Sequence, residues 1–147
     1  MDPILRFILL WAAGVVIFTA MDLVWIGVVA ASLYRSQLGD LISLGQEMSA
    51  GRAAAALCTW LLLVLGILCF ALPRGIQNGS AMASLAWGAL LGFVIYGVYD
   101  LTNLAVLRGW TLKVTVLDIA WGTFACGIIS MLLYGLDRLL FQRGQVF

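Results

Sequence analysis

Four long apolar runs constrain this chain more than any other feature of its sequence. They cover about 4–33, 53–72, 81–107 and 113–140, and a helix needs roughly 20 apolar residues to cross the hydrocarbon of a bilayer. Only 10% of the residues are charged, whereas about 25% are charged in a typical soluble domain. The sequence therefore predicts an all-α integral membrane bundle of four transmembrane helices, forming a single domain over residues 1–147.

The segments between the runs contain charged residues and turn formers. The first connection, residues 34–52, has an apolar rhythm that predicts a short helix lying in the membrane interface; its members are Leu38, Leu41, Ile42 and Leu44. The second connection contains Pro73 and Gly79 and is typical of a plain turn. The third, residues 108–113, is so short that the third and fourth helices must be antiparallel neighbours.

Small residues at helical spacing predict close contacts between helices. Gly88 and Gly92 form a GxxxG pattern in the third run, and Gly122 with Cys126 forms a similar pair in the fourth. Such residues let helix backbones approach each other in lipid, where apolar burial alone gives no net attraction between helices. We expect these pairs to pack inside the bundle, and a homo-oligomer contact remains the alternative.

Charge and residue types argue against several classes of function. The formal net charge is +1, which gives no basic field for nucleic acid. The chain has no histidine, which argues against haem, typical catalytic zinc and serine–histidine chemistry. The aspartates do not form a run suited to Mg²⁺ and a diphosphate. We therefore expect no cofactor and no metal. Basic residues divide four to four between the two membrane faces, so the orientation stays open.

Three aspartates inside the apolar runs are the candidate catalytic residues: Asp22, Asp100 and Asp118. An aspartate at the centre of a membrane helix costs about 2.5–3.5 kcal/mol on insertion scales. Three of them would be costly unless they face one another, water or a cation. Ionisable residues at such positions are functional candidates, although polar contacts that only join helices would also explain them.

Helix geometry places the three carboxylates in one half of the membrane. At 1.5 Å per residue, Asp22 lies about 16 Å, Asp100 about 12 Å and Asp118 about 8 Å from the same face. That face carries the first and third connections. We therefore predict a polar pocket inside the bundle that opens toward this face.

Further residues are expected to line this pocket and to bind a substrate there. They share a helical face with an aspartate or stand at the predicted mouth: Trp25, Tyr96, Tyr99, Asn103, Arg108, Lys113 and Trp121. Tyrosine and asparagine side chains could orient a substrate, and the two basic residues could hold an anionic headgroup. The remaining tryptophans are interpreted as interface-belt or packing residues: Trp11, Trp60, Trp87 and Trp110.

One block of sequence, residues 96–123, carries a family resemblance. It begins Tyr-Gly-Val-Tyr-Asp-Leu-Thr-Asn and continues through Asp118-Ile-Ala-Trp-Gly-Thr. With Asp22-Leu-Val-Trp and residues 34–39 it resembles a bacterial membrane family catalogued as domain of unknown function 2177, over essentially the whole chain. Thr111 stands where the family suggests proline. The resemblance implies a small multi-pass protein of the bacterial inner membrane and assigns no activity.

Three functions remain open at this point, and whether the protein is an enzyme is undecided. The first is binding or modification of a membrane-soluble, lipid-like substrate by the carboxylates, with membrane lipid or another small amphiphile as partner. The second is proton-coupled export of small amphiphiles or cations. The third is a non-catalytic membrane subunit. Transporter sites usually lie near the midplane, so the one-sided depth of the aspartates favours the first.

Overall fold

The computed structural model describes residues 2–41 and 49–141. Within these ranges the chain forms six α-helices: α1 Pro3–Val24, α2 Ala31–Leu38, α3 Ala50–Gly66, α4 Leu72–Gln77, α5 Ala81–Val106 and α6 Leu112–Phe141. Two π-helical segments, Trp25–Val29 and Ile67–Ala71, and a 3-10 turn, Gly39–Leu41, join some of them.

Four continuous helical stretches are long and apolar enough to cross a membrane. We call them the first to fourth spans: Pro3–Val29, Ala50–Gln77, Ala81–Val106 and Leu112–Phe141. They confirm the predicted all-α membrane bundle of four spans. Pro3 at the start of the first span, Phe141 at the end of the fourth span and the second connection lie at one membrane face, here called the terminal face. The first and third connections share the opposite face, here called the site face.

The first span bends near its end instead of running on to residue 33. Its last turn is π-helical, and Ala30 N–H donates to the Trp25 carbonyl oxygen at 2.8 Å. The chain then enters α2, whose Tyr34 and Leu38 are buried against Val114 of the fourth span. The first connection thus contains a short helix that lies against the bundle. The predicted apolar rhythm at Ile42 and Leu44 falls outside the described residues.

The second span continues through Pro73 to Gln77 rather than ending at residue 72. Proline has no N–H to donate, and its ring clashes with the carbonyl four residues earlier in a regular helix. The π-helical segment Ile67–Ala71 precedes the proline and widens the helix there, which accommodates the ring. Gly79, with a φ of 59°, then makes the turn into α5.

The predicted small-residue pairs face each other between α5 and α6 within one chain. A Cβ atom on Gly92 would overlap the Gly122 carbonyl oxygen, and one on Gly88 would overlap Cys126 and Ser130. The hydroxyl of Ser84 adds a hydrogen bond to the Ser130 carbonyl oxygen at 2.9 Å. The two spans are thus packed backbone against backbone, as expected for small residues in lipid.

Replacing Gly92 with alanine is expected to destabilise the bundle by about 1–3 kcal/mol, because the new methyl group overlaps the backbone of α6. Gly97→Ala is the matched control on the same helix, since a Cβ there meets no atom within 4 Å. The control should be neutral or slightly stabilising, because alanine favours helix more than glycine does. Unfolding in detergent micelles measures both, and equal stabilities would contradict the close approach.

The apolar core fills the middle of the bundle and its terminal half. Its largest fully buried members come from three spans: Phe18, Val64, Ile67, Ile129 and Leu133. A bidentate ion pair joins the first and fourth spans near the terminal face, where Arg6 Nε and Nη2 donate to the two carboxylate oxygens of Asp137, both at 2.6 Å. The half of the bundle toward the site face contains Asp22, Asp100 and Asp118.

Candidate functional site

Asp22 is hydrogen-bonded by indole nitrogens from two other spans. Its Oδ2 accepts from Nε1 of Trp60 in α3, and its Oδ1 accepts from Nε1 of Trp121 in α6, each at 2.9 Å. The side chain is buried, with 9% of its surface exposed. Both carboxylate oxygens have a donor, so burial of Asp22 is compensated within the protein. Asp22 thereby links the first, second and fourth spans.

A chain of aromatic contacts connects Asp22 to Asp118. The rings of Trp25 and Trp121 stack in parallel, with centroids 4.4 Å apart and an interplanar angle of 2°. Nε1 of Trp25 donates to the Tyr34 hydroxyl oxygen at 3.1 Å. The Tyr34 hydroxyl in turn donates to Oδ1 of Asp118. The short helix α2 therefore covers the carboxylate of Asp118 at the site face.

The Tyr34 hydroxyl is a hydrogen-bond donor that stays protonated in this chain of contacts. Burial, and then its hydrogen bond to Asp118, raise the pKa of Tyr34 above its ordinary value. The hydroxyl therefore keeps its proton at physiological pH. Asp118 is consequently held in place by a donor that does not titrate under cellular conditions.

Asp100 differs from the other two aspartates in having no donor. Its surface is 0% exposed, and among residues 2–41 and 49–141 neither Oδ1 nor Oδ2 has a hydrogen-bond partner. Asp118 is close enough for negative charges on the two residues to repel each other. An unpaired buried carboxylate is costly, by several kcal/mol in proteins. Asp100 is thus the least satisfied polar group among the candidate site residues.

Two further side chains in this half of the bundle have unpartnered buried atoms. They are Asn103, through Nδ2, and Thr19, through Oγ1, each without a partner among the described residues. Asn103 lies three residues after Asp100, so the two side chains occupy the same helical face. Thr19 lies three residues before Asp22 on the first span. Unmade hydrogen bonds are therefore concentrated near the predicted pocket.

A cleft opens between the second and third spans, and Tyr96 and Tyr99 are among the residues that line it. The two spans are tight near the terminal face, where a Cβ on Gly75 would overlap Ser84. Toward the site face the two spans diverge. This is seen in the packing of α5, which contacts the π-helical segment and α4 far more than it contacts α3. The resulting cleft has a volume of about 300 Å³, and its lining residues are Thr59, Leu63, Ile95, Tyr96 and Tyr99.

Tyr96 stands between this cleft and the carboxylates. Its ring lies against Gly122 of the fourth span, where a Cβ would overlap it. It is close enough to Asp22 and Asp118 to interact with them electrostatically. Asp100 follows Tyr96 by four residues, or about 6 Å along the helix. The cleft therefore ends within about one helical turn of the unpartnered carboxylate.

The remaining sequence-predicted residues lie farther out. Tyr99 is 59% exposed, and its ring meets Trp110 edge to face with centroids 6.2 Å apart. Arg108 and Lys113 are exposed at the site face. Within the described part of the chain, neither forms an ion pair with Asp100 or Asp118. The structure thus gathers the aspartates, Trp25, Tyr96 and Trp121, and leaves the two basic residues at the rim.

Sequence reasoning missed two contributors to this arrangement. The sequence indicates a belt or packing role for Trp60, but its indole nitrogen donates to Asp22. The sequence places Tyr34 in the first connection and indicates no role for it, but its hydroxyl donates to Asp118. A lone tryptophan in an apolar run gives no signal of its partner. For Tyr34, the signal was its position at the start of a connection on the face where the aspartates lie.

Comparison with known proteins identifies a family and gives no further relative. A family model described as predicted membrane protein, DUF2177, matches residues 7–134. This confirms the resemblance carried by the block around Asp100 and Asp118. Neither a curated protein nor a solved structure matches the chain.

Proposed function

Since the chain belongs to the family of predicted membrane proteins DUF2177, we propose that its carboxylate site binds a membrane-soluble, lipid-like substrate. The resemblance to a bacterial family further suggests the inner membrane as its location. One observation carries the proposal: Asp100 is 0% exposed, inside a span, and has no hydrogen-bond partner among the described residues.

A comparison among the aspartates supports Asp100 as the group that meets the substrate. Asp22 and Asp118 accept hydrogen bonds from protein donors, so their charge is compensated internally. Asp100 is not compensated in this way, and intramembrane ionisable residues of this kind mark substrate or ion sites. A donor on a bound substrate would supply the missing interaction.

The cleft between the second and third spans supports entry from the lipid. Its walls are mostly apolar, with Leu63 and Ile95 among them, and it lies within the membrane-spanning part of the bundle. An acyl or isoprenoid chain could occupy such a cleft while its headgroup points inward past Tyr96. This route needs no aqueous channel through the protein.

The same geometry suits modification of the bound headgroup. Asp100 could accept a proton from the substrate, because both of its oxygens are unoccupied by protein donors. Asp118 is held in place by the hydrogen bond from Tyr34. Asp22 acts through position, since it anchors Trp121 beside this pair. Binding is the core of the proposal, and proton abstraction is the chemistry that this arrangement would add.

Proton-coupled export is less well supported by the described residues. An exporter must connect its site to both membrane faces. The path toward the terminal face is occupied by fully buried apolar side chains, including Phe18, Ile67 and Leu133. The polar groups beyond them, Arg6 and Asp137, are joined to each other. Entry of a substrate from the lipid into a site that is closed toward the terminal face agrees better with this arrangement than export does.

The test compares membrane-lipid extracts by mass spectrometry from a strain lacking the gene. The strain is complemented with wild type, with Asp100→Asn or with Asp2→Asn. We expect a lipid species that changes on deletion to be restored by wild type and Asp2→Asn, and not by Asp100→Asn. Asp2 caps α1 at the membrane edge, and asparagine caps a helix equally well. Equal restoration by all three chains would overturn the proposal.

A further inference from the structure

We propose that the substrate group received at Asp100 is an uncharged hydroxyl, held jointly by Asp100 and Asn103. This inference rests on the proposed function and names the class of substrate: a lipid with an alcohol headgroup. It follows from which buried atoms of the site still require a hydrogen bond, and of which kind.

The two unpartnered groups have complementary requirements. The carboxylate oxygens of Asp100 are acceptors and require a donor, whereas Nδ2 of Asn103 is a donor and requires an acceptor. Residues three apart on a helix have Cβ atoms about 5–6 Å apart, which would allow the two side chains to bond each other directly. They do not do so. A third group placed between them is therefore needed to satisfy both.

Only some headgroups can satisfy an acceptor and a donor together. An ammonium group provides donors alone, so it would pair with Asp100 and leave Nδ2 of Asn103 unsatisfied. A phosphate or carboxylate group provides acceptors, and its charge would be repelled by Asp100. A hydroxyl donates one hydrogen bond and accepts others through its lone pairs. Among these headgroups, only the hydroxyl gives a hydrogen bond both to Asp100 and to Asn103.

The placement of charge around the site agrees with a neutral headgroup. Arg108 and Lys113, which an anionic headgroup would require, are exposed at the site face and pair with neither Asp100 nor Asp118 within the described residues. Arg108 lies two residues beyond the end of α5, and α5 itself ends six residues, or about 9 Å, after Asp100. The cleft leading to the site offers polar atoms only from Thr59 and two tyrosines. None of these side chains carries a charge that would pair with a charged headgroup.

The experiment uses three photoreactive probes with the same 16-carbon, diazirine-bearing chain: a primary alcohol, its methyl ether and the corresponding amine. The full chain is reconstituted in phosphatidylcholine nanodiscs, and labelling is measured by intact-protein mass spectrometry. We expect the alcohol to label wild type about tenfold more than the ether or the amine, since it alone makes both hydrogen bonds. Asn103→Leu should lower labelling by the alcohol about fivefold, and Thr102→Leu, on an exposed position next to it, should not.

The outcomes separate this inference from the proposed function. Preferential labelling by the amine, lost in Asp100→Asn and retained in Asn103→Leu, would overturn the hydroxyl and leave lipid-like binding at Asp100 standing. Equal labelling by all three probes, unchanged by Asp100→Asn, would overturn both. Labelling by the alcohol that depends on both Asp100 and Asn103 is the supporting result. Peptide mapping should then place the adduct on residues of the cleft between the second and third spans.

Discussion

Replacing Asp137 with asparagine is expected to lower the free energy of unfolding by about 3 kcal/mol. Asp137 is 0% exposed and receives two hydrogen bonds from Arg6, which joins the first span to the fourth. Removing one partner of a buried ion pair costs about 3–5 kcal/mol. The Arg6 side chain is 35% exposed, which places the effect at the lower end of that range. Denaturant unfolding in detergent micelles measures it.

A double-variant cycle shows whether the loss belongs to the pair. Arg6→Gln alone should also destabilise the protein, and the variant carrying both changes should lose less than the sum of the two single losses. A coupling of about 1–3 kcal/mol is the expected difference for residues in direct contact. Strict additivity would mean that the contact between Arg6 and Asp137 contributes little to the stability of the bundle.

The same chemical change at Asp100 should have the opposite sign. Asp100→Asn removes a carboxylate that has no donor among the described residues, so we expect the free energy of unfolding to rise by about 1–2 kcal/mol. The substitution is nearly isosteric and creates neither a cavity nor an overlap. Thermal and denaturant unfolding in the same micelles provide the measurement, with Asp137→Asn as the comparison at a second fully buried aspartate.

Gain of stability with loss of function is the combination expected of a binding residue. Proteins commonly retain unfavourable groups where a ligand needs them. A loss of stability in Asp100→Asn similar to that in Asp137→Asn would instead make Asp100 a structural residue. The lipid-extract result would then have to be explained by a lower amount of folded protein.

The four spans could be predicted because run length and apolarity are local properties of the sequence. The half of the bundle that contains the aspartates could also be predicted, since a helix rises by a constant amount per residue. The distance predicted for Asp22 was too long, because the first span ends at Val29 rather than at residue 33. Small residues at a spacing of four indicated where backbones approach, and Gly92 does lie against Gly122. These features depend on helix geometry and on the lipid environment alone.

Which side chains form hydrogen bonds or ion pairs with each other could not be predicted, because this depends on how the helices are arranged around one another. Nothing near Trp60 indicates that its indole nitrogen meets Asp22, a residue 38 positions earlier. The ion pair between Arg6 and Asp137 joins residues 131 positions apart. The bend at Ala30 lies inside an apolar run without proline, so it has no local marker either. It is this bend that brings Tyr34 to Asp118.

The divergence of the second and third spans has a consequence for how affinity must be expressed. A ligand that reaches Asp100 through a cleft in the side of the bundle is exchanged with the bilayer rather than with water. Its occupancy then follows its mole fraction among the surrounding lipids, and its aqueous concentration matters only through partitioning. Lengthening the alkyl chain of a probe would lower the apparent aqueous dissociation constant without any new contact with the protein. Diluting the nanodiscs at a fixed ratio of probe to lipid would leave occupancy unchanged.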